Sequence, residues 1–180
     1  MGRISSSGLV STSAEQAVVQ LLLLRHGIAE VAGPGQADVD RALTPAGVER
    51  TVAVLRRLRA LDLGCQRLIS SPLRRARQTA ELALSAGLAP ALELSEALTP
   101  GGDALGLVGQ ARGLQRLALV GHEPDLGQLA ARLIGAPAGA VVLKKAGVAL
   151  LELPQAGQGP GGTGARLRLL LAPRQLLAGS

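Results

Sequence analysis

The chain has 180 residues, 47% of them hydrophobic, and a formal net charge of +6. That length suits one domain with a substantial core, and the absence of Phe, Tyr and Trp means that Leu, Val and Ala must fill it. With no aromatic to stack on a base and no long basic run, nucleic-acid binding is not expected, and no stretch reaches the roughly 18 apolar residues of a membrane span.

Residues 1–17 are Ser-rich, lack the apolar core of a signal peptide and read as a disordered tail. A single domain is expected over 18–172, with a C-terminal tail over 173–180. The apolar run Val18–Leu24 has the length of a buried strand and delivers Arg25-His26-Gly27 to its C-terminal end. Ligand sites of open α/β sheets lie outside such ends. A histidine there can be base, metal ligand or nucleophile, and the arginine beside it suggests an anionic group, most often phosphate. Gly27 would allow close backbone approach.

A polar, Gly-rich loop covers 28–43. Thr44 is expected to cap a helix starting at Pro45, with Val48, Val52, Leu55 and Leu58 at helical spacing and an end near Leu61. A strand at Arg67–Ser70 follows, the only cysteine, Cys65, standing just before it. One cysteine permits no internal disulfide and suits a reducing, cytoplasmic setting. Ser71 is predicted to cap the next helix, with Pro72 at its first position and Gly87 at its stop. Arg74 and Arg75 fall in its first turn, where the macrodipole disfavours cations and a bound anion would compensate. Arg74 fits a solvated basic face with Arg77, which leaves Arg75 the better anion ligand.

Further on, the pattern predicts a strand at Ala91–Leu94, a helix over Asp103–Arg112, a strand at Leu117–Val120 and a helix over Asp125–Ile134. Two final strands, Gly147–Leu153 and Arg166–Leu171, are expected to pair as a hairpin, with a mobile Gly/Pro-rich loop over 154–165. The alternation argues an α/β fold with a largely parallel sheet. The two histidines of the chain, His26 and His122, both stand just past apolar strands.

Taken together, R-H-G after the first strand, S-P-x-x-R-A-x-Q-T after the second and G-H-E-P-D later resemble the histidine phosphatase superfamily. Asp40–Gly47 and Leu98–Asp103 add the pattern of its small SixA-type branch of phosphohistidine phosphatases, and the resemblance covers about Leu21 to Leu153. It implies a three-layer, phosphoglycerate mutase-like fold: a mostly parallel central sheet with helices on both faces. It implies His26 as a nucleophile that becomes transiently phosphorylated, with Arg25, Arg75 and Arg41 holding phosphate oxygens and His122 assisting. The substrate implied is phosphohistidine on a signalling or phosphotransfer protein in the cytoplasm. A small-molecule phosphomonoesterase and a catalytically silent phosphate-binding domain are the alternatives. Two histidines packed with arginines make a cationic pocket that disfavours a divalent ion, and neither metal nor cofactor is expected.

One departure concerns the general acid. Ala97 stands where the branch carries Glu before Leu-Thr-Pro, so Glu96, displaced by one, and Asp103 are the candidates. Both also read as solvated loop carboxylates. A missing acid matters less for an imidazole leaving group than for an alkoxide.

Overall fold

The computed structural model describes residues 19–33, 35, 37–153 and 164–178. The expected N-terminal tail and most of the 154–165 loop lie outside them. The elements, in chain order, are β1 (Gln20–Arg25), α1 (Pro45–Ala60), β2 (Arg67–Ser70), α2 (Arg74–Ser85), β3 (Leu92–Leu94), α3 (Leu105–Val108), β4 (Arg116–Gly121), α4 (Asp125–Leu133), β5 (Val148–Glu152), β6 (Arg166–Leu171) and α5 (Pro173–Leu176).

The strands form one sheet in the order β3-β2-β4-β1-β5-β6. The β1–β4, β2–β4 and β2–β3 pairs are parallel, and β5 and β6 are added antiparallel, so the sheet is mixed with a parallel majority. The pleat divides its leucines. Leu21 and Leu23 of β1 face a core built with α3 and α4, whereas Leu22 and Leu24 face a second core with α1, α2 and α5. Two apolar layers without a single aromatic ring are thus filled by leucine, alanine and valine, and the three-layer expectation holds.

Thr44 caps α1 as expected, its hydroxyl accepting from Gly47 N at 3.0 Å. Three expectations need correction. Helix α2 begins at Arg74, not Pro72, because Leu73, with φ -58 and ψ 133, lies outside the helical region. The helix expected over Asp103–Arg112 shrinks to α3 plus a 3-10 turn at Gly109–Ala111. Gly106 and Gly109 inside that stretch weaken a helix by about 1 kcal/mol each. The segment 173–180 is not merely a tail: α5 buries Leu176 against the core beside α1. No helix among the described residues is long and apolar enough to cross a membrane.

Candidate active site

β1 and β4 are adjacent and parallel, with Arg25 opposite Gly121 in the register. The chain leaves β1 for α1 on one face of the sheet and leaves β4 for α4 on the other. Connections that diverge in this way open a crevice beyond the strand ends, where α/β sheets bind ligands. His26 stands on one side of the crevice and His122 on the other, both buried, with ring centroids 5.1 Å apart.

His26 Nδ1 lies 2.7 Å from its neighbour's carbonyl, Gly27 O. A carbonyl only accepts, so Nδ1 carries the hydrogen and Nε2 keeps its lone pair. Gly27 has to be glycine for packing: a Cβ there would collide with Thr51 Oγ1. Its N–H donates to Thr79 Oγ1 at 3.0 Å, and Thr79 donates in turn to Arg75 O, so the histidine turn is fastened to α2. His122 Nε2 is 2.9 Å from Ser71 Oγ, while its Nδ1 is buried without a partner in the protein.

Three arginines converge here. Arg75, the second residue of α2, is 5% exposed and donates to Asp38 O at 2.7 Å and Asp38 Oδ2 at 2.9 Å. Arg41 pairs with the other Asp38 oxygen at 2.8 Å and with Glu30 O at 2.6 Å. The Asp38 carboxylate therefore bridges Arg75 and Arg41, an arrangement that an anionic ligand's oxygens could replace. Arg25 donates to Leu143 O at 2.8 Å, and its Nε is buried without a partner. Leu143 N in turn donates to Glu123 Oε1 at 3.0 Å, so Glu123 orients the loop that orients Arg25.

Burial, then the charges of His122, Arg75 and Arg25, push His26 down to about 3, against a single favourable bond from Gly27. His122 falls to about 4 through burial first and Arg75 next, with Asp125 and Asp38 opposing. Both imidazoles are therefore neutral at physiological pH. Arg25 is also lowered by burial, with Glu123 opposing, yet a guanidinium stays charged. Burial raises the Glu123 carboxyl, and Asp38 is held low, by Arg41 first. A neutral nucleophile among fixed cations is suited to receiving a phosphoryl group.

The structure thus gathers Arg25, His26, Arg75 and His122, and joins Arg41 to them through Asp38. Of the two candidate acids, Glu96 lines a cavity with Asp40, Arg74 and Arg77, chain neighbours of Asp38 and Arg75. Asp103 accepts from Leu105 N at 3.1 Å, capping α3, and lines another cavity with Asp125, Gln128 and Arg132. Sequence reasoning missed Ser71, taken only for a helix cap, and Asp38, which meets Arg75 across the loop.

Known proteins resemble this chain in sequence and in fold. Residues 21–99 match the family described as histidine phosphatase superfamily (branch 1). An uncharacterized protein of Picosynechococcus sp. is 37% identical over 165 residues, covering 88% of this chain and 99% of the relative. A structure described as the protein histidine phosphatase SixA complexed with tungstate is 25% identical, with a TM-score of 0.75 over 87% of this chain and 99% of its own. The alpha-ribazole phosphatase of Shigella flexneri shares the fold at 20% identity, with a TM-score of 0.66 over 86% and 96% of the two chains.

Proposed function

The chain belongs to the histidine phosphatase superfamily and is by class a phosphatase, and we propose that it removes the phosphoryl group from phosphohistidine on another protein. The observation that carries the chemistry is His26: buried, neutral, its Nδ1 hydrogen committed to Gly27 O and its Nε2 lone pair left for attack between Arg25 and Arg75. Nε2 bonds to phosphorus as the bond from phosphorus to the substrate's ring nitrogen breaks. The electron pair leaves with that ring, which departs neutral because its other nitrogen carries a proton. Water then attacks the phosphoryl group on His26, the bond from phosphorus to Nε2 breaks with its electron pair returning to Nε2, and the hydrogens of the water leave with the phosphate. Arg25, Arg75 and Arg41 hold the charge on the equatorial oxygens, Asp38 giving up its contacts to Arg75 and Arg41. His122 assists from the end of β4.

Three observations support a P–N substrate. Ala97 occupies the place of a motif carboxylate, Asp103 Oδ1 is engaged by Leu105 N, and only short elements lie between α2 and β4 to cover the crevice. An alcohol leaving group needs a proton far more than an imidazole does. We also propose that the reaction proceeds without a metal ion, since cations surround both imidazoles, and that it takes place in the cytoplasm, where the lone, buried Cys65 remains reduced. The small-molecule reading draws on the fold shared with the ribazole phosphatase.

The test compares kcat/KM for a phosphohistidine protein and a sugar phosphate at matched pH. The proposal expects the protein to be turned over faster, with Glu96→Ala and Asp103→Ala leaving P–N cleavage intact. Faster turnover of the sugar phosphate, or loss of P–N cleavage in either variant, would overturn the substrate assignment and leave only the phosphatase class.

A further inference from the structure

Beside the histidines, Arg25 also lines a groove of about 650 Å³ shared with Ile28, Arg50, Lys144, Lys145, Ala172, Pro173 and Arg174. Five of these eight residues are cationic and none is acidic. Arg50, Lys144, Lys145 and Arg174 are exposed, and among the described residues none of them enters an ion pair. Arg67, Arg77 and Arg168 pair with Glu93, Glu81 and Glu152, whereas Arg56, Arg57, Arg59, Arg74, Arg112, Arg132 and Arg166 are exposed without an ion pair among the described residues, so what sets the groove's cations apart is their grouping around one opening. The groove therefore concentrates uncompensated positive charge against the mouth of the active site.

The lysine side of the groove is built, not incidental. Lys144 and Lys145 are the only lysines in the chain. Their turn is tied to the nucleophile itself: Ala146 N donates to His26 O at 3.0 Å, and Gly147 N closes the turn onto Lys144 O at 2.6 Å. Ala146 takes a left-handed φ of 57, a conformation that costs a non-glycine residue about 1 kcal/mol or more and is retained here at the site's edge. α5 brings Arg174 to the same groove, and α1 brings Arg50.

We propose that this groove docks an acidic segment of the protein substrate flanking its phosphohistidine, an inference that rests on the protein-phosphohistidine reading above. Whereas Arg41 and Arg75 meet on one carboxylate, Asp38, the groove's cations come from separate segments and share no acidic partner, which matches dispersed carboxylates better than one compact phosphate. Lysines serve as mobile point charges for such a surface, whereas convergent, forked arginines suit phosphate. Ile28, Ala172 and Pro173 give the groove an apolar component against which side-chain stems can pack. Complementary charge of this kind acts through encounter and affinity more than through the chemical step.

Two phosphohistidine peptides, one flanked by Glu and one by Gln, test the proposal in wild type and in the triple variant Lys144→Gln, Lys145→Gln, Arg174→Gln. Wild type should prefer the Glu-flanked peptide by about tenfold in kcat/KM, through KM, as expected for several surface charge contacts. The triple variant should lose that preference and keep its turnover of phosphoimidazole, which shows that it is folded and active. Binding of an unphosphorylated Glu-rich peptide, followed by fluorescence anisotropy, reads the groove independently of turnover. It should be equal in wild type and His26→Ala and about tenfold weaker in the triple variant. If the peptide binds the triple variant as tightly as wild type, or if only inorganic tripolyphosphate binds in a groove-dependent way, the docking proposal is overturned even if the phosphatase reading stands. If peptide binding behaves as expected but neither phosphohistidine peptide is hydrolysed, the substrate reading fails and the acidic-segment site survives.

Discussion

β4 carries a buried polar side chain at each end, and the two ends differ in what those side chains have left to give. At its start, Arg116 is 8% exposed and fully engaged: Nε donates to Gln20 Oε1 at 2.8 Å, Nη1 to Asp62 O at 2.9 Å and to Gly64 O, and Nη2 again to Gln20. Every acceptor is neutral and belongs to the fold. Just past the other end, His122 Nδ1 and the neighbouring Arg25 Nε are buried without protein partners, and Arg75 is held by a carboxylate that is itself largely exposed. Buried polar groups are normally satisfied, so an unpartnered polar atom calls for an explanation and a partnered one does not. Burial alone would rank Arg116 with Arg75. Donor capacity separates a residue that locks the sheet from residues prepared for a ligand.

The largest effect expected from this contrast lies at α2. Arg75→Ala should lower kcat/KM by tens to hundreds-fold, about 2–4 kcal/mol of transition-state stabilisation. Arg74, exposed and 3.3 Å from Asp40 O, should tolerate the same change within a few-fold. Equal losses at both positions, measured side by side, would break the register on which the site is built. Arg116→Met should do the reverse. Leaving Gln20, Asp62 and Gly64 without their donor should cost about 2 kcal/mol of stability, and roughly 4–8 °C in Tm by far-ultraviolet circular dichroism. Its kcat/KM should stay close to wild type, and a catalytic loss at an unchanged Tm would erase the contrast.

The smallest effect is also the easiest to resolve. Lacking Phe, Tyr and Trp, this protein shows only two side-chain aromatic spin systems in a proton NMR spectrum, His26 and His122. Neither resonance should titrate between about pH 8 and 5, since the folded values are depressed to about 3 and about 4 from an ordinary 6.5. In the unfolded chain both would protonate near 6.5. Between those limits the unfolded state binds more protons, so this part of the stability is complete above about pH 6.5 and is lost as the pH falls toward 3–4. A midpoint near 6.5 for either histidine would mean that its ring is solvated and not buried in the crevice.

Much of this was legible in the sequence, for physical reasons that differ by element. β1, β2 and β4 are apolar runs with few alternatives, and the residues that follow them, Arg25-His26 and Gly121-His122, inherit their positions from the strands. Arg75 stood out because a cation in a first helical turn needs compensation. The parts that were not legible depend on contacts between distant segments. Asp38 reaches Arg75 through the conformation of the loop before α1, which no periodicity encodes. Ser71 looked like a helix cap, because a hydroxyl before Pro gives that signal whether or not His122 lies above it. α5 is one turn long, too short for a hydrophobic pattern. The basic groove draws on β1, α1, the Lys144–Lys145 turn and α5, segments far apart in the sequence that only the fold brings together.

The most direct test of the account is to look for the phosphoryl group on His26. Wild type mixed with a radiolabelled phosphohistidine protein and quenched within a turnover should carry label that is stable in alkali and labile in acid. Peptide mapping should place that label on the segment containing His26. The His26→Ala protein, folded by circular dichroism, should carry none and turn over no substrate. Label retained after His26→Ala, or label found on His122 instead, would contradict the central claim that the end of β1 supplies the nucleophile.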